Sequence, residues 1–214
     1  MQHYQEKAPF NEAKTDSPER ETENPPYAQV LLMEKVWDIP IWARPEQDKE
    51  LPINFGVVIP GKIYRGGWPE DVSPLVNIGV SRLITLYSDR DQTGIANLPI
   101  LREKTRQSGL THLVFDIKSN EDLWLAAKQA LATDEKTYIH CAAGANRTGL
   151  ASLLIALLNN HTQEEHCNEK TLKDIIAKAI QHGYDFDQEK YRILLEQILN
   201  DSLTEGIISP SLFR

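Results

Sequence analysis

Residues 137–158 read TYIHCAAGANRTGLASLLIALL, and this stretch decides the fold. Thr137 to His140 is a short apolar strand, Cys141 to Asn146 a turn of small residues, and Leu150 to Leu158 a helix that is apolar almost all round. A strand running through a tight loop into a buried helix is one half of a βα crossover, the unit from which parallel sheets are built. Upstream, Ser81 to Tyr87 and Thr111 to Ile117 have the aliphatic and β-branched character of buried strands. Helical stretches alternate with them: Glu70 to Ile78 up to Gly79, Ile100 to Gln107 up to Gly109, and Asp122 to Ala132. Ile53 to Ile59 and Lys62 to Tyr64 form short strands around Pro60-Gly61, and Gly66-Gly67 with Pro69 closes that unit. Amphipathic helices over Lys170 to Gln181 and Gln188 to Leu199 end the pattern. The expected class is therefore α/β, a central, mainly parallel sheet flanked by helices.

The chain has 214 residues, 31 acidic against 23 basic side chains, and a net charge of −8. Residues 1 to 50 hold 11 acidic and 6 basic side chains, which leaves 20 against 17 for residues 51 to 214. Gln2 to Pro26 is polar and proline-containing, the composition of a segment that does not offset its ordering entropy. Residues 1–50 are thus expected to be a flexible acidic tail, and 51–214 the folded domain with its C-terminal helices. Val30 to Met33, with Trp37 and Trp42, could dock on the domain or on a partner, and the tail could equally serve delivery into another cell. Without a basic footprint, sequence-independent nucleic-acid binding is not expected. The longest apolar run, Leu150 to Leu158, is roughly half a membrane span, so no span is expected. Two cysteines, Cys141 and Cys167, make neither a C-x-x-C pair nor a zinc spacing, which suggests a reducing, cytoplasmic compartment. Cys167 reads as a spare thiol.

The chemistry concentrates after strand 137–140, since ligands of open parallel sheets sit beyond the carboxyl ends of the strands. Successive backbone N–H groups of Ala142, Ala143, Gly144, Ala145 and Asn146, leading into a helix N-terminus, can form an anion nest. Gly144 allows the turn without a clashing Cβ. Arg147 offers a planar cationic fork to two phosphate oxygens. In that field the Cys141 thiol is expected to act as a thiolate nucleophile. Thr148 can donate to the sulfur or cap the helix.

His140-Cys141 through Arg147-Thr148 resembles the Cys-x5-Arg-Thr/Ser phosphate loop of the protein tyrosine phosphatase superfamily, in its dual-specificity branch. Asn54 to Pro69, most specifically Lys62 to Pro69, is similar to the leading segment of plant and fungal atypical dual-specificity phosphatases and their bacterial relatives. The resemblance covers about residues 53 to 160. It implies a metal-independent and cofactor-free phosphatase that forms a cysteinyl-phosphate, with a carboxylic acid protonating the leaving oxygen. That acid is Asp116, Glu121 or Asp122, with Asp116 at the end of a hydrophobic strand and Asp122 also readable as the N-cap of the helix that follows. His140 is implied to support the loop. Arg65 either orients the loop or pairs with a surface carboxylate. The implied substrates are phosphotyrosine or phosphoserine/threonine proteins and inositol pyrophosphates. Ala142, Ala143, Ala145 and Asn146 stand where the inositol-directed members carry basic residues, which lowers the expected attraction for a densely charged ligand. Two other classes use the same residues: a phosphate-binding pseudophosphatase with little turnover, and a sulfurtransferase or arsenate-reducing thiol enzyme.

Overall fold

A computed structural model describes residues 50–88, 92–163, 169–181 and 189–208. The tail 1–49 and Cys167 lie outside the described residues. Among the described residues, five strands form one sheet: β1 (Gly56–Ile59), β2 (Ile63–Gly66), β3 (Arg82–Tyr87), β4 (Thr111–Asp116) and β5 (Thr137–His140), in the order β1-β2-β5-β3-β4. Only β1 and β2 pair antiparallel, and β2, β5, β3 and β4 run parallel. This is the mainly parallel α/β sheet expected from the strand-helix alternation. The last of these strands occupies the centre, so the loop leaving β5 opens in the middle of the carboxyl edge.

The helices are α1 (Ser73–Asn77), α2 (Gln92–Gln107), α3 (Asn120–Leu131), α4 (Asn146–Gln163), α5 (Glu169–Gln181) and α6 (Glu189–Thr204). Strand periodicity divides the core into two layers. Ile63, Ile84, Leu86 and Ile139 face α3 to α6 in the larger cluster, while Leu83 and Tyr138 face Val72, Leu75 and Leu101 beside α1 and α2. In α4, Leu150, Leu153, Leu154, Ile155 and Leu157 are all essentially inaccessible. At about 1.5–3 kcal/mol for each fully buried aliphatic, that helix is a firm anchor for the loop at its N-terminus.

Several boundaries depart from the sequence expectation. The strand expected from Ile53 begins at Gly56, because Asn54 adopts a left-handed backbone (φ 56°) that breaks extension. β2 continues through Gly66, which pairs with His140. α2 starts at Gln92 and runs through Pro99, although a proline there forgoes a helical hydrogen bond and reads in sequence as a helix start. Among the described residues, no helix is long and apolar enough to cross a membrane.

Candidate active site

Cys141 follows β5 directly, and α4 begins five residues later at Asn146. Gly144 has φ 69°, and a Cβ there would collide with the backbone of Gly66 and Gly67. The loop is therefore seated against the end of β2, an approach that only glycine allows. Three contacts hold it from that side. Trp68 N–H donates to Ala142 O (2.9 Å), Asn54 Nδ2 donates to Ala143 O (2.8 Å), and Arg65 Nη2 donates to Gly144 O. Three successive carbonyls of the loop are thus engaged on its β2 side.

Arg65 decides one of the open alternatives. Its side chain is buried (1% exposed), so it orients the loop and is not a surface ion-pair partner. Burial pulls its guanidinium down to about 10, partly opposed by the charge of Cys141, so it remains a cation at neutral pH. Cys141 is buried, at 4% exposure. Tyr138 stands behind the same segment, its hydroxyl donating to Gly67 O (2.8 Å) and its ring stacked on His140.

Arg147 Nη1 donates to Leu86 O (2.9 Å) at the carboxyl end of β3. Asp116 pairs with Tyr87 in the β3–β4 register, one step beyond Leu86 and Phe115, so Asp116 and the Arg147 anchor share one edge. Asp116 Oδ2 forms an ion pair with Lys118 (2.7 Å), while Oδ1 is buried without a hydrogen-bond partner among the described residues. Thr148 lies inside the first turn of α4, so it is not the N-cap. Its buried hydroxyl has no hydrogen-bond partner among the described residues, the Cys141 sulfur included.

The other two carboxylates have different duties. Ser119 caps α3, and Asp122 at the third helical position accepts from the backbone N–H groups of Lys118 (2.9 Å) and Ser119 (2.9 Å), completing a capping box. The cap is Ser119, not Asp122 as the sequence suggested, because the helix starts at Asn120, three residues before Leu123. The Lys118 amide holds the Asp122 carboxyl below its ordinary range, and the Ser119 side chain does the same for Glu121. Glu121 also lines a groove of about 770 Å³ with Trp124, Lys128 and Leu158.

His140 is fully buried. Its Nδ1 lies 3.2 Å from Cys141 O and its Nε2 2.8 Å from Thr85 Oγ1. Burial pushes this imidazole down to about 3, so it stays neutral at physiological pH. Asn54, Tyr138 and Thr85 escaped the sequence reading. Only the period-2 alternation that puts Tyr138 and His140 on one face gave any signal.

No family model matches the chain, and no curated protein matches it in sequence. Solved structures do match. A candidate phosphatase (DUF442) from Shewanella putrefaciens CN-32 superimposes with TM-score 0.52 at 16% identity, over 79% of this chain and 97% of that one. OH1 from Orf virus, a tyrosine phosphatase with triple substrate specificity, gives TM-score 0.50 at 16% identity, over 80% and 96%. PTPMT1 gives 0.51 at 14% identity, over 71% and 98%. The chain has the fold of these phosphatases.

Proposed function

We propose that the protein is a metal-independent cysteine phosphatase acting on phosphomonoesters. One observation carries the reading. The 141–147 loop is held from the β2 side through the carbonyls of Ala142, Ala143 and Gly144, between Cys141 and the α4 N-terminus, which supports an anion nest built from its amides and Arg147. In this reading the Cys141 thiolate attacks phosphorus, forming the S–P bond as the ester P–O bond breaks. The leaving oxygen takes a proton from Asp116, and water then cleaves the S–P bond, returning its proton to Asp116 and releasing phosphate. Ala142 to Asn146 and Arg147 carry the phosphoryl oxygens, and Thr148 supplies a hydroxyl to the departing sulfur. Asp116 is the preferred acid because Asp122 is engaged in the capping box and both Asp122 and Glu121 are held ionised by their donors.

A phosphoester on a protein is the favoured substrate class over an inositol pyrophosphate, since residues 142–146 add no cation to Arg147. Hydrolysis of an aryl phosphate in the presence of a chelator, its inhibition by vanadate and its loss in Cys141→Ser are the expected results. Turnover that requires added metal, or that survives Cys141→Ser, overturns the reading. Rates on a phosphotyrosine peptide beside an inositol pyrophosphate then test the substrate class. The Asp116–Lys118 ion pair favours a second reading, a phosphate-binding module with slow turnover, because the carboxylate assigned to the leaving group is engaged by Lys118. In that case the pH-rate profile lacks the acid-dependent limb and is unchanged in Asp116→Asn.

A further inference from the structure

A second histidine stands behind the first. His112 on β4 places Nε2 2.8 Å from Thr85 Oγ1, the same hydroxyl that meets His140 Nε2 at 2.8 Å. On its other side His112 Nδ1 lies 3.3 Å from Thr105 Oγ1 of α2, whose hydroxyl donates to Arg102 O (2.8 Å). The result is a continuous chain, Cys141 O, His140, Thr85, His112, Thr105, along the sheet face covered by α2.

Acceptor-only carbonyls, Cys141 O and Arg102 O, close both ends of this chain. With neutral rings the four protons of His140, Thr85, His112 and Thr105 serve five contacts, and the longest of them, His112 Nδ1 to Thr105 Oγ1 (3.3 Å), is the one left without a proton. The Cys141 carbonyl can only accept, so His140 must carry its proton on Nδ1 and its Nε2 must accept. Thr85 has one hydrogen, which goes to His140, so its oxygen must accept from elsewhere. The remaining donor is His112 Nε2–H, which leaves Nδ1 as the lone-pair side toward Thr105. Burial keeps the two imidazoles neutral, at about 4 for His112 and about 3 for His140. Without the His112 donor, Thr85 could instead accept from His140 Nε2–H. The other tautomer would then aim a lone pair at the Cys141 carbonyl, and the residue at the head of the loop would lose its tether.

We propose that His112 is a positioning residue for the phosphate loop, acting through Thr85 to select the His140 tautomer that holds the Cys141 carbonyl. The kinetic part rests on the phosphatase reading above, and the tautomer part does not. The test is imidazole 15N NMR on the full chain together with aryl-phosphate kinetics. Wild type is expected to show His140 protonated on Nδ1 and His112 on Nε2. In His112→Leu, His140 is expected to shift toward the Nε2–H form, with kcat ~3- to 10-fold lower from misplacement of the nucleophile. His112→Gln, whose carboxamide N–H can donate to Thr85, is expected to restore both. Should His112→Leu fail to fold, Thr85→Val removes the same link and is expected to release the same tautomer. A wild-type His140 protonated on Nε2, or a His140 signal unchanged in a folded His112→Leu or Thr85→Val, overturns the proposal. A wild type without turnover counts against the phosphatase reading alone, and the spectra then decide.

Discussion

At Gly144 two demands meet in one residue: a left-handed backbone and a seat against Gly66 and Gly67 with no room for a Cβ. Gly144→Ala is expected to cost about 1–3 kcal/mol of stability in urea unfolding and to abolish phosphate binding, because the added methyl must push the loop off β2. A variant of wild-type midpoint and turnover contradicts that geometry. Cys141, Gly144 and Arg147 were legible in sequence because their chemistry lies within seven consecutive residues between two apolar elements. Arg65 was not decided there. Its partner, Gly144 O, is 79 residues away, and whether it points inward depends on which strand lies beside β2. The same holds for Thr85 and His112, which become neighbours of His140 only once β5 and β4 flank β3.

At the level of elements, the capping box separates scaffold from chemistry among the three acidic candidates. Ser119→Ala and Asp122→Ala are each expected to lower stability by about 1 kcal/mol while leaving most turnover intact, since what they lose is the start of α3. Asp116→Asn is expected to do the opposite, retaining the urea midpoint and losing the acid-dependent limb of the pH-rate profile. An Asp122→Ala variant that keeps its midpoint but loses that limb transfers the acid role to Asp122. Strands and amphipathic helices followed their hydrophobic periods closely, since each strand lies between two packed layers and the C-terminal helices lay their apolar faces on the helices over the sheet. The departures fell where local chemistry competes with the period, at the left-handed Asn54, the capped start of α3 and the proline within α2.

For the whole molecule, two imidazoles, His140 fully buried and His112 half-buried, tie stability to pH. Their folded values, about 4 for His112 and about 3 for His140, lie below the ordinary 6.5, so the unfolded chain binds protons that the folded chain refuses. Their contribution is fully present above pH 6.5 and is lost as the pH falls, through about 4 for His112 and about 3 for His140. Urea midpoints are expected to drop across that window with uptake of up to two protons on unfolding, and by one fewer in His112→Gln. A midpoint independent of pH between 7 and 5 contradicts this.

The grip of β2 on the 141–147 loop also has a kinetic side. The Arg65–Gly144 contact closes a span of 79 residues, so the anion cradle exists only after β2 has found β5. Closing so long a span costs chain entropy before any contact repays it, which puts the cradle among the last features to form. An anion bound there holds shut a gate that the folding transition state has not yet built. Phosphate should therefore slow unfolding and leave the refolding rate unchanged.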